Sequence, residues 1–289
     1  MISPFVRHLR LVQIINGHCA AQSRNLGDLA LAIKVSRQRL SRILNLRSKP
    51  TMDEVQDLAD VLKLQGEDAR LFELIGRDAQ TAGWWQRIRE KIGPRQALAA
   101  DLECGATELF EYHLTIPPGL LQTPEYAAAR AATDTAEWPK GFDPAMAVDA
   151  RRRRQRAVLR PGGPGYQVVI DELALRRLSA PWQVTCEQLR HIATVARTPN
   201  RVLVRVLPID AEINSNRVPK SAFSLYRHES GDPEIGVADT VTSDVMITDP
   251  AEVTSYHVLH AALSDAALGT HDSIAFLHDL ANHISHRNR

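Results

Sequence analysis

The sequence predicts a two-part chain: an all-α N-terminal domain of about five helices, followed by an α+β domain with a mainly antiparallel sheet. Three observations predict it. Apolar residues recur at helical spacing up to about residue 80, the period changes to two at Leu109, and strand-like and helix-like segments then interleave. The expected divisions are a first domain over 1–80, a connecting helix over 81–105 and the α+β domain over 106–289. A length of 289 residues agrees, because it exceeds one typical domain.

Composition narrows the class. Hydrophobic residues make up 44% and charged residues 24%, as in ordinary globular proteins. Cys19, Cys104 and Cys186 are far apart and form no C-x-x-C pair, which predicts neither a disulfide framework nor a zinc site and fits a reducing cytoplasm. The opening MISPFVRHLR carries charge inside its first apolar stretch, unlike a signal peptide, and no apolar run reaches membrane-spanning length. The net charge of +1 hides an asymmetry. Residues 1–50 hold nine basic side chains against the single acid Asp28, whereas 51–80 hold eight acids against Lys63, Arg70 and Arg77. One face of the first domain can therefore meet phosphates while another turns away from them.

Pro4 suits a first helical turn, and Phe5, Leu9 and Val12 continue a helix from it. Asn25 caps a short second helix carrying Leu26, Leu29, Ala30 and Ile33. Ser36 caps a third, Arg37 to about Leu46, with Leu40, Ile43 and Leu44 turned inward and Arg37, Gln38, Ser41 and Arg42 outward. Thr51-Met-Asp-Glu54 is a capping box that starts a fourth helix burying Val55, Leu58, Ala59 and Leu62. A fifth, near 67–80, brings Leu71, Leu74 and Ile75 to the core. The second and third helices, separated by Lys34 and Val35, have helix-turn-helix spacing. In such a unit Arg37, Gln38 and Arg42 are the expected base contacts, since Arg pairs bidentately with guanine and Gln with adenine. Expected phosphate contacts are Asn25, Ser36, Ser41, Asn45, Arg47, Ser48 and Lys49. The bland alternative is a helical bundle with a solvated basic face.

In the second part, Phe110, Tyr112, Leu114 and Ile116 alternate along a strand that Pro117-Pro118-Gly119 ends. Thr123-Pro124 and Asp143-Pro144 open helices, the second running through Arg151–Arg156. A strand over 166–170 follows, then a helix from Asp171 and another from a capping box at Thr185. A turn at Pro199-Asn200 leads to strands at 202–206, 222–226, 235–238 and 241–247, and helices open at Asp249 and Asp272.

The first part resembles the Cro/repressor class, or Xre-like helix-turn-helix regulators, at Leu29-Ala30, Val35-Ser36, Leu40-Ser41, Ile43, Pro50-Thr51 and Leu58-Ala59. Lys34 stands where that class has glycine, and Asn45-Leu46 replaces its Glu-x-Gly. The stretch Pro118-Gly-Leu-Leu-Gln-Thr-Pro-Glu-Tyr126 resembles the signature of a C-terminal domain fused to such regulators. Similarity continues at Arg151–Gln155, Asp171–Arg176, Gln188-Leu189 and Arg205–Pro208. That resemblance implies an antitoxin-like transcriptional regulator, often paired with a small partner protein, whose second domain has no settled activity.

Taken alone, the 118–126 stretch reads as a packing motif. The alternative is a ligand pocket lined by Tyr112, Leu120, Leu121, Gln122 and Tyr126. The string Arg151–Arg156 reads as a solvated helix face, and Asp171-Glu172 as capping rather than an acid/base dyad, since adjacent helical residues diverge. His257 and His260, and His278, His283 and His286, lack a metal-ligand pattern. The expectation is therefore a non-enzymatic, homodimeric DNA-binding regulator of cytoplasmic type, with double-stranded operator DNA as partner and no cofactor, metal or membrane. Its second domain would sense a small-molecule effector or a partner protein. The rival reading is an antitoxin-like chain that neutralises a small partner and autoregulates its operon.

Overall fold

The computed structural model describes residues 2–133, 140–197, 201–214, 217–229, 231–241 and 243–288, so the expected turn at Pro199-Asn200 lies outside the described residues. The chain divides into two compact units, Met1–Arg87 with Glu229–Pro233, and Ile88–His228 with Glu234–Arg289. Among the described residues no helix is long and apolar enough to cross a membrane.

The first unit is helical: α1 (Pro4–Ala21), α2 (Leu26–Ala32), α3 (Arg37–Leu44), α4 (Met52–Val61), α5 (Gly66–Gln80) and the single turn α6 (Trp84–Arg87). Local chemistry sets the starts of α1 to α4. Ser3, Asn25, Ser36 and Thr51 each accept a backbone N–H three residues on, and Glu54 completes the capping box of α4. The helix ends repeat one device. Ser23, Lys34, Leu46 and Lys63 all adopt positive φ, between 52° and 58°, just after α1 to α4. In each case the next amide closes back on the helix, as Val35 N–H does on the Ala30 carbonyl at 3.0 Å and Arg47 N–H on the Arg42 carbonyl at 2.8 Å. These are Schellman ends built without glycine. The core gathers Leu11, Ile15, Leu29, Leu40, Val55, Leu58, Phe72 and Ile75. Ile75 is buried as expected, but Leu71 and Leu74 are 40% and 49% exposed, because α5 turns Phe72 inward in their place.

In the second unit the expected connecting helix is broken. Past α6 come α7 (Arg89–Ile92) and α8 (Pro94–Leu102), split at Gly93, whose φ of +85° precedes a helix-opening proline. The remaining elements are β1 (Glu108–His113), α9 (Pro124–Thr133), α10 (Pro144–Val158), β2 (Gly165–Asp171), α11 (Glu172–Arg176), α12 (Trp182–Arg197), β3 (Val202–Leu207), β4 (Phe223–Arg227), β5 (Ile235–Ala238), β6 (Val245–Ile247), α13 (Pro250–Ala266) and α14 (Thr270–Arg287). Helix α12 starts three residues before Thr185, so that residue is no cap; its buried hydroxyl donates to the Ala180 carbonyl at 3.2 Å.

Among the described residues, six strands form one sheet in the order β3-β2-β1-β4-β5-β6. It is mixed rather than mainly antiparallel: β1 pairs parallel with β2, and β2 with β3, whereas the β1–β4, β4–β5 and β5–β6 pairs are antiparallel. Helices separate β1 from β2 and β2 from β3, which permits parallel return; shorter links join β4 to β6. On one sheet face Tyr112, Val169, Leu207, Phe223 and Leu225 pack against Val253 and Leu263 of α13. The opposite face carries the buried polar side chains Glu111, Tyr166 and Tyr226. The outer edge of β3 is covered: the Ser273 hydroxyl of α14 accepts the Val206 N–H at 3.0 Å, and the Leu268 N–H reaches the Val206 carbonyl at 2.8 Å.

Candidate nucleic-acid interface

Helix α3 has two different faces. Leu40 and Ile43 are fully buried, while Arg37, Gln38 and Arg42 are exposed together, and Ser41 beside them is half-buried. Ser36 starts the helix, its Oγ accepting the Arg39 N–H at 3.0 Å. Exposed Lys34 and Arg47 lie in the turns before and after it.

Two groups hold α3 in place, and the sequence reading singled out neither for that role. The Arg39 guanidinium folds back to the Glu54 carboxylate through Nε at 2.7 Å and Nη2 at 2.6 Å, and also donates to Ser48 Oγ at 2.6 Å and the Lys49 carbonyl at 2.9 Å. One arginine thus ties α3, the following loop and the capping box of α4. Hydrogen bonds from Arg39 hold the Glu54 carboxyl below its ordinary range. The capping-box spacing marked Glu54; its pairing with Arg39, fifteen residues back, needed the fold. The second group is His8 of α1, buried beside the Ile43 carbonyl and pushed down to about 4 by burial, hence neutral at pH 7.

Arg37 has a particular seat. Gly27 of α2 leaves room for it: a Cβ there would fall 2.0 Å from Nη2 of Arg37. The guanidinium lies across the start of α2, so the glycine admits a side chain rather than supplying a turn.

The expected phosphate set divides in three. Arg47 is exposed. Asn25 and Ser36 are exposed but use their side-chain oxygens as caps. The other four are held within the unit: Asn45 Nδ2 donates to the Ser41 carbonyl at 2.8 Å and to its hydroxyl at 3.2 Å, Ser48 receives Arg39, and Lys49 Nζ donates to the Thr81 carbonyl at 3.0 Å.

In the second unit, the turn after β1 is a packed joint. Tyr112, Leu120, Leu121, Gln122 and Tyr126, the expected pocket residues, are each at most 5% exposed and line neither of the two described cavities. Their polar atoms are used up. Tyr112 donates to Asp171 at 2.9 Å, Gln122 Nε2 to the Pro117 carbonyl at 2.8 Å, and Tyr126 bonds Ser179. Helices α10 and α12 clamp the turn. Arg151 donates to Gln122 Oε1 at 2.7 Å, Gln155 to the Gln122 carbonyl at 2.7 Å, and Gln188 to the Leu121 carbonyl at 2.7 Å while accepting the Thr123 N–H at 2.7 Å.

The string Arg151–Arg156 is therefore not simply a solvated face. Arg151 grips the turn and Arg154 is buried against Glu103, whereas Arg152, Arg153 and Arg156 are exposed. Asp171 caps α11 by accepting the Leu173 N–H at 2.9 Å. Glu172 turns away to the Ile209 N–H at 2.9 Å and to Arg176. The two carboxylates share no site, as capping requires.

Comparison with known proteins agrees with this division. Residues 21–68, spanning α2 to α4, match the family described as Helix-turn-helix, which supports a DNA-binding regulator. No curated protein and no solved structure matches the chain. Residues 96–279, the greater part of the molecule, match Domain of unknown function (DUF5753), and the chain belongs to that family.

Proposed function

We propose that the chain is a sequence-specific, non-enzymatic transcriptional regulator that reads operator DNA with α3. The observation that carries this reading is the joint exposure of Arg37, Gln38 and Arg42 on a helix whose other face is fully buried. Laid in the major groove, these side chains would meet base edges, while Arg47 and the polar groups around it, Asn25, Ser36, Ser41, Asn45, Ser48 and Lys49, would border the phosphates. Because one short helix reads few bases, the acting species would be a homodimer on a two-fold operator with half-sites about 34 Å apart.

Binding measured on an operator selected from genomic DNA tests this. Removing Arg37 should cost about 1–3 kcal/mol on the operator and relax base preference. Removing Arg47 should weaken all sequences alike and reduce the salt slope by about one. Equal loss on operator and random DNA for Arg37→Ala would remove the base-contact role.

The second unit, in this reading, tunes DNA binding by sensing a small molecule or a partner protein. The antitoxin-like alternative predicts a stoichiometric complex with a small neighbour-encoded protein when the two are co-expressed, and relief of that protein's toxicity.

A further inference from the structure

A cavity of about 290 Å³ lies at the carboxyl end of β1, between the start of β4 and the first half of α13. Topology gives that place its meaning. Strand β1 pairs parallel with β2 and antiparallel with β4, and the chain that leaves β3 re-enters the sheet at β4, beyond β2 and β1. The connections from β1 and β3 therefore part here. In open α/β sheets, ligands bind outside the carboxyl ends of the strands where the connections diverge.

The cavity has an apolar wall and a basic rim. Tyr256 and Leu259 of α13 are half-buried and form the reachable wall; Phe223 of β4 backs them, meeting Tyr256 edge-on at 5.1 Å between ring centres. The segment Arg217 to Ser221 closes the other side. Its Pro219 is buried, and the proline ring restricts the backbone, so Arg217 and Lys220 stand on a pinned loop. Both cations are exposed, and among the described residues neither makes an ion pair. No carboxylate lines this cavity. By contrast, the larger cavity on the same face includes Asp265 in its wall, and its Arg227 is paired with Glu108 and Glu234. Val218 at the rim is 74% exposed, apolar surface that a ligand would cover.

Two cations beside an aromatic slot, with no acid to offset them, select a ligand by both of its parts: a flat apolar body for Tyr256 and Leu259, and an anionic group for Arg217 and Lys220. Size limits the body to about one ring, because pockets for larger ligands begin near roughly 300 Å³. We propose that this cavity binds a small aromatic carboxylate, its ring against Tyr256 and Leu259 and its carboxylate held by Arg217 and Lys220. The proposal rests on the reading of the second unit as a sensing domain and names the chemical class of effector.

The test uses the full chain at constant ionic strength. Benzoate, phenylacetate, benzamide, acetate and inorganic phosphate are titrated by calorimetry, with the Val218 and Leu259 methyl signals followed by NMR. At least one of the two aromatic carboxylates should bind with a Kd below about 5 mM, shift both methyl signals, and bind about fivefold or more tightly than benzamide, acetate or phosphate. Replacing both cations, Arg217→Gln with Lys220→Gln, should weaken it by about tenfold or more. Ser255→Trp, at an exposed position of α13, should weaken it by filling the cavity without altering a charge. Absence of aromatic carboxylate binding, equal or tighter binding of benzamide, acetate or phosphate, or binding that survives either the double variant or Ser255→Trp overturns the proposal. Operator binding is measured separately on the ligand-free chain. Its failure alone overturns the regulator reading and leaves the cavity; absence of carboxylate binding with operator binding intact overturns the cavity alone.

Discussion

Two basic helices look alike in sequence and behave in opposite ways. Helix α3 reads Arg-Gln-Arg-Leu-Ser-Arg and α10 contains Arg-Arg-Arg-Arg-Gln-Arg. In α3 the arginine that turns inward, Arg39, finds Glu54, and Arg37 and Arg42 remain at the surface. In α10 the inward face holds Arg151 and Arg154, three residues apart, which serve the turn after β1 and the buried Glu103. The longer run is thus partly a structural clamp, and the shorter run is the candidate ligand-reading face. Arginine count does not tell a held side chain from an exposed one; in each helix the arginines that meet a carboxylate or carbonyl are held, and the rest stay at the surface.

The largest expected effect breaks the clamp. Arg154→Ala would leave Glu103 buried without its partner and should destabilise the second unit by about 3–5 kcal/mol, read as loss of thermal stability. A melting temperature within two degrees of the parent would show that the buried pair carries no such role.

Acid should act on both units through buried histidines. His8 and His260 titrate near 4 when folded, because burial disfavours their charged forms, against about 6.5 when unfolded. The unfolded chain therefore takes up protons first, and stability falls as pH drops from about 6.5 toward 4. Each group should remove about 2 kcal/mol by pH 5. Denaturant unfolding at pH 7 and pH 5 measures it, and His260→Gln should flatten the second unit's share.

Smaller changes probe the recognition face without disturbing the core. Gly27→Ala displaces the Arg37 guanidinium, a flexible end that can move, while adding a better helix former, so stability should rise by up to about 0.5 kcal/mol. Operator affinity should change at the same time; an unaltered affinity would mean that the seat of Arg37 over α2 is irrelevant to reading. Lys34→Gly relieves a left-handed lysine and should stabilise the first unit by about 0.5–1 kcal/mol, seen in the same unfolding measurement.

Much of the first unit was legible along the chain. Ser36 and the Thr51–Glu54 box marked where α3 and α4 begin, because an N-cap is satisfied within three residues and leaves a local signature. Helix ends were less so. Ser23, Lys34, Leu46 and Lys63 close Schellman turns without the glycine that would advertise them, since packing of the helices on either side holds each residue at positive φ. Likewise, Leu71, Leu74 and Phe72 all fit a helical period, and only the seating of α5 decides which of them is covered.

Sequence by itself determined the helical first part, the change of period near residue 109, and an outward set of Arg37, Gln38 and Arg42, all of which depend on neighbours within one or two helical turns. Tertiary structure alone decided that β1, β2 and β3 run parallel, that Arg151 and Arg154 point inward, and that Arg217 and Tyr256 line one cavity. Those outcomes join residues tens of positions apart, and no local periodicity records which distant partner the folded chain will supply.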